Sequence, residues 1–149
     1  MRLVVQRVQN AKCIIENVEK SSINQGYVVL LGVSDSDNKE IADKMIKKLI
    51  NLRIFEDENG KTNLSIDKIG GEIMVISQFT LYANCKKGNR PSFIEAGKPD
   101  MANELYEYFV EQIKNEKINV ATGEFGADMK ISLINDGPFT IYLDSDDLF

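Results

Sequence analysis

Histidine is absent from the 149 residues of this sequence. Its absence excludes the Ser-His-Asp and Cys-His arrangements that activate a nucleophile in many hydrolases. It also excludes the usual zinc and non-haem iron sites, so we expect no metal and no cofactor. Any hydrolysis by this chain would have to use carboxylates, lysine, hydroxyl groups, backbone dipoles or a group on the substrate.

Cysteine and long apolar runs are also scarce. The two cysteines, Cys13 and Cys85, are too few for a disulfide framework, and we expect both to be reduced thiols. No apolar run approaches the roughly 20 residues that a membrane-spanning helix needs. The first residues lack the layout of a signal peptide, because Gln6 and Arg7 interrupt the apolar stretch. The sequence therefore predicts a cytoplasmic protein without a membrane partner.

Positive charge is concentrated locally, although the chain as a whole is acidic. Its net charge of −5 repels nucleic acid, so phosphate binding would need a basic patch. One candidate patch, interrupted only by Glu95, contains Lys86, Lys87, Arg90 and Lys98. On composition alone, these residues agree as well with a solvated loop as with an RNA-binding patch.

The hydrophobic pattern shows short strand-like runs and two helical ones, with no internal repeat and no linker. We therefore predict a single domain over residues 1–149. The strand-like runs are Leu3–Val8, Lys12–Glu16, Tyr27–Val33, Arg53–Phe55, Thr62–Leu64, Glu72–Ile76, Met129–Ile134 and Phe139–Leu143. Because the strands come in runs, the pattern favours an α+β fold, in which a mixed or largely antiparallel sheet forms a barrel-like core flanked by two main helices.

Both helices have start signals. Residues 38–50 carry apolar side chains on one helical face, and Asp37 is the predicted N-cap, with Glu40 at the capping-box distance. Pro99 suits the first turn of a second helix that we expect to end near Asn115.

Two polar segments could carry chemistry. Ser77-Gln-Phe-Thr80 leaves a buried strand, where hydroxyl and free N–H groups could hold an oxygen-rich group. The same residues could simply cap a strand. Asn135-Asp-Gly-Pro138 lies between two strand-like runs and predicts a turn.

Both segments resemble signatures of one known family. Ser77-Gln-Phe-Thr-Leu-Tyr-Ala83 is similar to the SQFTL-x-A segment of the D-aminoacyl-tRNA deacylases, and Asn135-Asp-Gly-Pro-Phe-Thr140 is similar to their NxGPVT segment. Phe139 departs from the usual valine. Further similar stretches make the resemblance extend over nearly the whole chain: Arg2–Val8, Leu30–Val33, Asn51–Arg53, Lys87–Phe93 and Thr122–Met129.

This resemblance implies an activity and an assembly. Family members cleave the ester between a D-amino acid, or glycine, and the 3′-terminal adenosine of tRNA, and they are homodimers. Carried over to this chain, a cis Gly137-Pro138 bond from one subunit would form a wall in the pocket of the other and refuse L side chains. Glycine cannot be refused, so glycyl-tRNA(Ala) is an expected second substrate. No DNA partner is expected.

The resemblance also suggests how hydrolysis could proceed without a histidine. In this family the chemistry is ascribed to the RNA, whose ribose 2′-hydroxyl helps to activate the attacking water. The expected oxyanion contact is the Phe79 N–H, with Ser77 and Gln78 as pocket groups. Thr80 is the one side-chain nucleophile candidate, and without a base it is a poor one.

Further site residues are implied by the same resemblance. Arg7, Ala96 and Met129 are expected at the substrate pocket, although Arg7 could be a strand-edge charge and the other two could be core residues. The expected tRNA-backbone contacts are Lys86, Lys87 and Arg90.

Two alternatives stay open. A related editing deacylase with a trans Gly137-Pro138 bond would have a wider pocket and relaxed chirality. A non-catalytic RNA-binding dimer would keep the fold without the reaction.

Overall fold

The computed structural model describes all 149 residues. In chain order its elements are β1 (Arg2–Ile15), β2 (Val18–Ile23), β3 (Gly26–Gly32), α1 (Lys39–Ile50), β4 (Phe55–Glu56), β5 (Thr62–Leu64), β6 (Glu72–Ser77), a 3₁₀ helix (Phe79–Tyr82), α2 (Pro99–Asn115), β7 (Val120–Thr122), β8 (Lys130–Asp144) and α3 (Ser145–Leu148). No helix combines the length and the apolar character that crossing a membrane requires.

The main sheet is mixed and curls into a nearly closed barrel. Its order is β2-β1-β3-β6-β7, with β8 paired to β1. β1 runs antiparallel to β2, β3 and β8, whereas β6 runs parallel to β3 and β7. The two end strands, β2 and β7, meet where the Ser21 hydroxyl donates a hydrogen bond to the Thr122 carbonyl at 2.6 Å. The predicted α+β fold with a barrel-like core and two flanking helices is confirmed.

The central strands are buried on both faces. Alternate residues of a strand point to opposite faces, so Tyr27 and Val29 pack in the core shared with the helices. Val28, Met74 and Ile76 point the other way, into a smaller cluster inside the barrel. This double burial explains why β3 and β6 have continuous apolar sequences rather than alternating ones.

Helix α1 begins one residue later than predicted. Its N-cap is Asn38, whose side chain accepts a hydrogen bond from the Ile41 N–H at 3.0 Å. The predicted cap, Asp37, is buried and accepts instead from the Met1 amino group and from the Ser34 N–H. The second helix, α2, spans the predicted residues.

The strands differ from the sequence pattern in continuity. The two runs predicted near the N-terminus form the single strand β1. The pattern missed β2, which is largely exposed and polar, and the short β7 and α3. These elements lack a clear apolar period, so pairing with neighbours decides their conformation.

The predicted turn at Asn135–Pro138 is wrong, because β8 continues through it as a wide bulge. Gln6 of β1 pairs with Thr140 and Val8 pairs with Asn135. Arg7 alone therefore faces Asp136–Phe139, so the extra residues leave the plane of the ladder while the strand keeps its direction.

The hydrogen bonds of Asp144, at the end of β8, predict how the stability of the fold depends on pH. Arg2 Nε and the Tyr142 hydroxyl both donate to Asp144 Oδ2, at 2.8 and 2.9 Å. Burial by itself raises the pKa of the Asp144 carboxyl, but these hydrogen bonds outweigh burial and hold the pKa below its ordinary value.

A folded-state pKa below the unfolded value, about 3.9, stabilises the fold above that pH, and the stabilisation is lost as the pH falls through the folded pKa. We expect the free energy of unfolding, measured by urea denaturation from pH 5 to pH 2, to fall less steeply in Asp144→Asn than in the unaltered protein. Glu58→Gln, at an exposed turn residue, is the control. Equal slopes in Asp144→Asn and the control would contradict this account.

Candidate active site

A cavity of about 930 Å³ opens beside the carboxyl ends of β3 and β6. Its other walls are the loop that leads into α2, the first turns of α2, and residues 125–131. Most of the lining is apolar. Five residues predicted from the sequence meet on this wall: Ser77, Gln78, Phe79, Ala96 and Met129.

The polar part of the wall includes the start of the 3₁₀ helix, in addition to the charged residues Asp35, Lys98 and Asp128. The Gln78 N–H donates to the Leu31 carbonyl at 2.8 Å and so ties the segment to β3. The helix is closed by hydrogen bonds that begin at the Leu81 N–H, which donates to the Gln78 carbonyl at 3.2 Å. The N–H groups of Phe79 and Thr80 precede these bonds and have no intrahelical partner. They are donors available to an anionic oxygen.

The Thr80 side chain lies outside the cavity wall. Its hydroxyl is exposed and accepts a hydrogen bond from the Gln78 amide nitrogen. That nitrogen is a donor and cannot remove a proton from the hydroxyl.

A glycine permits this close packing. At Gly32, the end of β3, an added Cβ would lie 3.0 Å from Leu81 Cβ and 3.2 Å from the Gln78 carbonyl oxygen. A side chain there would push the 3₁₀ helix away from the sheet. Gly32 therefore sets how closely the donors approach the cavity.

Tyr106 and Phe125 are two of the cavity residues that the sequence did not predict. Tyr106 of α2 is buried at the cavity, and its hydroxyl donates to the Val75 carbonyl at 2.9 Å. Burial raises its pKa to about 12, so the hydroxyl stays neutral near pH 7. Phe125 lies beside it, with ring centroids 6.1 Å apart. The one usable signal was the helical spacing of Tyr106 from Ala102 and Phe109.

Gly137 and Pro138 do not line the cavity of their own chain. Both are exposed on the bulge of β8, and the peptide bond between them is cis, the state that the resemblance implies.

Arg7 holds this bulge and also lies away from the cavity. Its Nε donates to the Asp136 carbonyl at 2.9 Å, and its Nη1 donates to the Ile54 carbonyl at 2.5 Å. The guanidinium carbon stands 4.8 Å from the centre of the Phe139 ring. The residue that departs from the family pattern thus packs on the arginine beneath the bulge.

The predicted basic residues form an exposed loop. The backbone N–H and carbonyl groups of Asn84 and Ser92 pair reciprocally, at 2.7 and 2.9 Å. Lys86, Lys87 and Arg90 are exposed between them. The loop follows the 3₁₀ helix directly and leads into Phe93 at the cavity, so these three charges stand next to the cavity, whereas Lys98 of the predicted patch lines it.

Comparison with known proteins identifies the family. The model of the family described as D-Tyr-tRNA(Tyr) deacylase matches residues 4–144. The chain belongs to this family.

Deacylase relatives resemble the chain along its length. A protein of Thermosipho africanus named D-aminoacyl-tRNA deacylase is 54% identical over 149 residues, which is 100% of both chains. A solved structure of a protein named c-Myc DNA Unwinding Element Binding Protein has a TM-score of 0.91 and 39% identity, covering 97% of this chain and 98% of that one. A probable eukaryotic D-amino acid tRNA deacylase shares the fold, with a TM-score of 0.81 at 20% identity over 95% and 97% of the two chains.

These matches confirm the recognition made from the two signature segments and the expectation that the chain is an enzyme of the deacylase class. The roles of single residues stay predictions. What the structure adds is their arrangement: the SQF segment lies at the cavity and the Gly-Pro segment lies elsewhere on the same deacylase chain.

Proposed function

We propose that this chain, acting as one domain, hydrolyses the ester between a D-amino acid, or glycine, and the 3′-terminal adenosine of tRNA. Water adds to the ester carbonyl, the bond to the ribose oxygen breaks, and free amino acid and tRNA leave. The observation that carries this proposal is the cavity whose wall includes Ser77, Gln78 and Phe79, the last with an unpaired backbone N–H.

The protein's part is to stabilise the charge that develops on the carbonyl oxygen. The Phe79 N–H is fixed by the 3₁₀ helix before the substrate arrives, so no reorganisation is needed during the reaction. A preorganised donor of this kind contributes about 3 kcal/mol to the transition state. The apolar lining strengthens the interaction because it excludes water.

The RNA supplies the group that the protein lacks. No histidine is available, and the one neighbour of the Thr80 hydroxyl is an amide donor. We propose that the ribose 2′-hydroxyl beside the ester activates the water. Thr80 then has no direct part in the chemistry.

Selection against L substrates comes from a second copy of the chain. Gly137 and Pro138 are exposed on β8, whose one edge pairs with β1 while the other has no strand partner in the chain. Ile134 and Tyr142 on this strand are about half exposed, at 51% and 53%. An edge strand of this length favours pairing with another strand. In the proposed homodimer, Gly137-Pro138 of each subunit closes the other subunit's cavity and leaves no room for an L side chain.

The tRNA backbone is held by the basic loop. Lys86, Lys87 and Arg90 neutralise phosphates next to the cavity, and this local attraction overcomes the repulsion from the net charge of −5. With tRNA as substrate, the reaction belongs to the cytoplasm and to quality control of translation.

The first test measures hydrolysis of matched D- and L-aminoacyl-tRNA and of glycyl-tRNA. We expect release of D-amino acids and glycine. The rate of hydrolysis of the L ester should be lower by at least about a hundredfold, because a steric wall keeps the L side chain out of the cavity. Turnover of neither isomer would end the proposal. The remaining candidate would then be a non-catalytic dimer that binds nucleic acid. Its ligand would be RNA or DNA, and DNA is the ligand in the name of the 39%-identical protein.

The second test separates the RNA from the protein hydroxyl. Thr80→Ala is expected to keep kcat within about threefold, whereas D-aminoacyl-tRNA ending in 2′-deoxyadenosine is expected to lose roughly a hundredfold or more, since a hundredfold is the lower end of the range for proton-transfer catalysis. Rates are measured in single turnover with tRNA ending in adenosine as the reference. Full activity on the deoxy substrate, or loss of activity in Thr80→Ala alone, would contradict the RNA-assisted mechanism.

The third test uses mixed dimers. Phe79→Pro removes the N–H donor at the first helical position, where proline is tolerated, and is expected to lower kcat by at least about a hundredfold. Gly137→Ala with Pro138→Ala should cleave both isomers. Differently tagged chains are co-expressed, and the dimer containing one of each is purified.

In that mixed dimer only one cavity keeps its Phe79 N–H, the cavity of the chain with the altered Gly137-Pro138 segment. That cavity faces the intact Gly137-Pro138 segment of the Phe79→Pro chain. We expect restored preference for the D isomer, with Phe79→Leu as the control that keeps the N–H. Continued cleavage of L-aminoacyl-tRNA would place the wall within one chain, and a gel-filtration mass of one subunit would exclude the exchange altogether.

A further inference from the structure

The 3₁₀ helix at the cavity is short, and it is held at both ends, with the Gln78 N–H tying its start to β3. It has four residues, Phe79–Tyr82, and no side chain caps its first residue. The Ala83 N–H donates to the Thr80 carbonyl at 3.0 Å, which leaves the Leu81 carbonyl for an outside donor.

That donor is Arg2, from the start of β1. Its Nη1 donates to the Leu81 carbonyl at 3.0 Å, and its Nε donates to Asp144 Oδ2 at 2.8 Å. Its guanidinium carbon lies 4.3 Å from the centre of the Tyr82 ring. The same planar group thus holds a carbonyl and a ring of the helix while it is itself fixed to β8.

The anchor is rigid. Asp144 also accepts hydrogen bonds from the Tyr142 hydroxyl and from the Asp146 N–H, at 2.9 and 3.2 Å. The carboxylate is therefore held by one side-chain donor and one backbone donor in addition to Arg2. A cation at the carboxyl end of a helical turn also interacts favourably with the partial negative charge of the unpaired carbonyls.

We propose that Arg2 is a positioning residue for deacylation. It fixes the carboxyl end of the 3₁₀ helix and thereby aims the Phe79 N–H at the cavity, with the Thr80 N–H next to it along the helix. In one helical turn the two ends move together, because so few hydrogen bonds separate them. The inference rests on the proposed function in one respect: it assumes that these N–H groups contact the reacting oxygen.

Arginine suits this role better than lysine. Its donors diverge in one plane, so it can bind Asp144 and Leu81 at once while its face covers Tyr82. A lysine has a single charged nitrogen and no flat face, so it can satisfy part of this arrangement only.

The test compares Arg2→Ala and Arg2→Lys with Lys12→Ala. Lys12 lies on the same strand in an exposed ion pair with Glu19, which makes it the matched control for removal of a charge from β1. We expect kcat to fall roughly tenfold to hundredfold in Arg2→Ala, the cost of misplacing a catalytic contact by an ångström or less. KM should stay within about twofold of the control, and Arg2→Lys should regain part of the loss.

A second readout reports on the helix itself. Hydrogen exchange of the Leu81 and Ala83 amides should quicken at least about tenfold in Arg2→Ala, because their hydrogen bonds close the 3₁₀ helix and would open locally. Exchange in α1 should match the control. If Arg2→Ala does not fold, the same two measurements are made on Arg2→Lys, with intermediate changes expected.

Both changes are required for support. An unchanged kcat with faster exchange would make Arg2 purely structural, and a lower kcat with unchanged exchange would show that it acts by another route; either result overturns the proposal. Failure of the proposed function is distinct, because the unaltered chain would then release no D-amino acid from tRNA.

Discussion

The antiparallel ladder around β1 is the constraint on which the other parts depend. β1 is flanked by β8 along nearly its whole length, by β3 over its first half and by β2 over its second half. Buried residues of β1 contribute to both apolar clusters. Leu3 and Val5 belong to the larger cluster, and Val8 and Ala11 belong to the smaller one. A slip of one residue in this strand would exchange the two faces and dismantle both clusters together.

The same strand links the two segments of the proposed mechanism. On one side, β3 leads to β6 and so to the donors after Ser77. On the other side, β8 carries Gly137-Pro138. Arg2 and Arg7 leave β1 at separate points, the first toward the 3₁₀ helix and the second toward the bulge. Two arginines on one rigid strand thus hold the two irregular segments of the fold.

Sequence reasoning succeeded where burial dictates residue type. The core strands β3 and β6 and both long helices have strong apolar patterns, and the structure places them within one residue of the predicted bounds. It failed where neighbours decide, as in β2 and in the bulge of β8, for which the sequence predicts a turn. Asp37 had the residue type of an N-cap, but a buried partnership with the Met1 amino group prevailed. No local pattern could show that Gly137 lies away from the cavity, since that follows from the barrel's closure.

The cavity without a histidine has a consequence for where the enzyme can work. Histidine is the one side chain whose ordinary pKa puts its change of charge between pH 5 and 8, and the chain has none. In the proposed mechanism, the proton transfers of the reaction fall to the aminoacyl ester and its ribose. Under that mechanism, the pH dependence of hydrolysis follows the substrate, so one unaltered fold would serve cells of differing internal acidity.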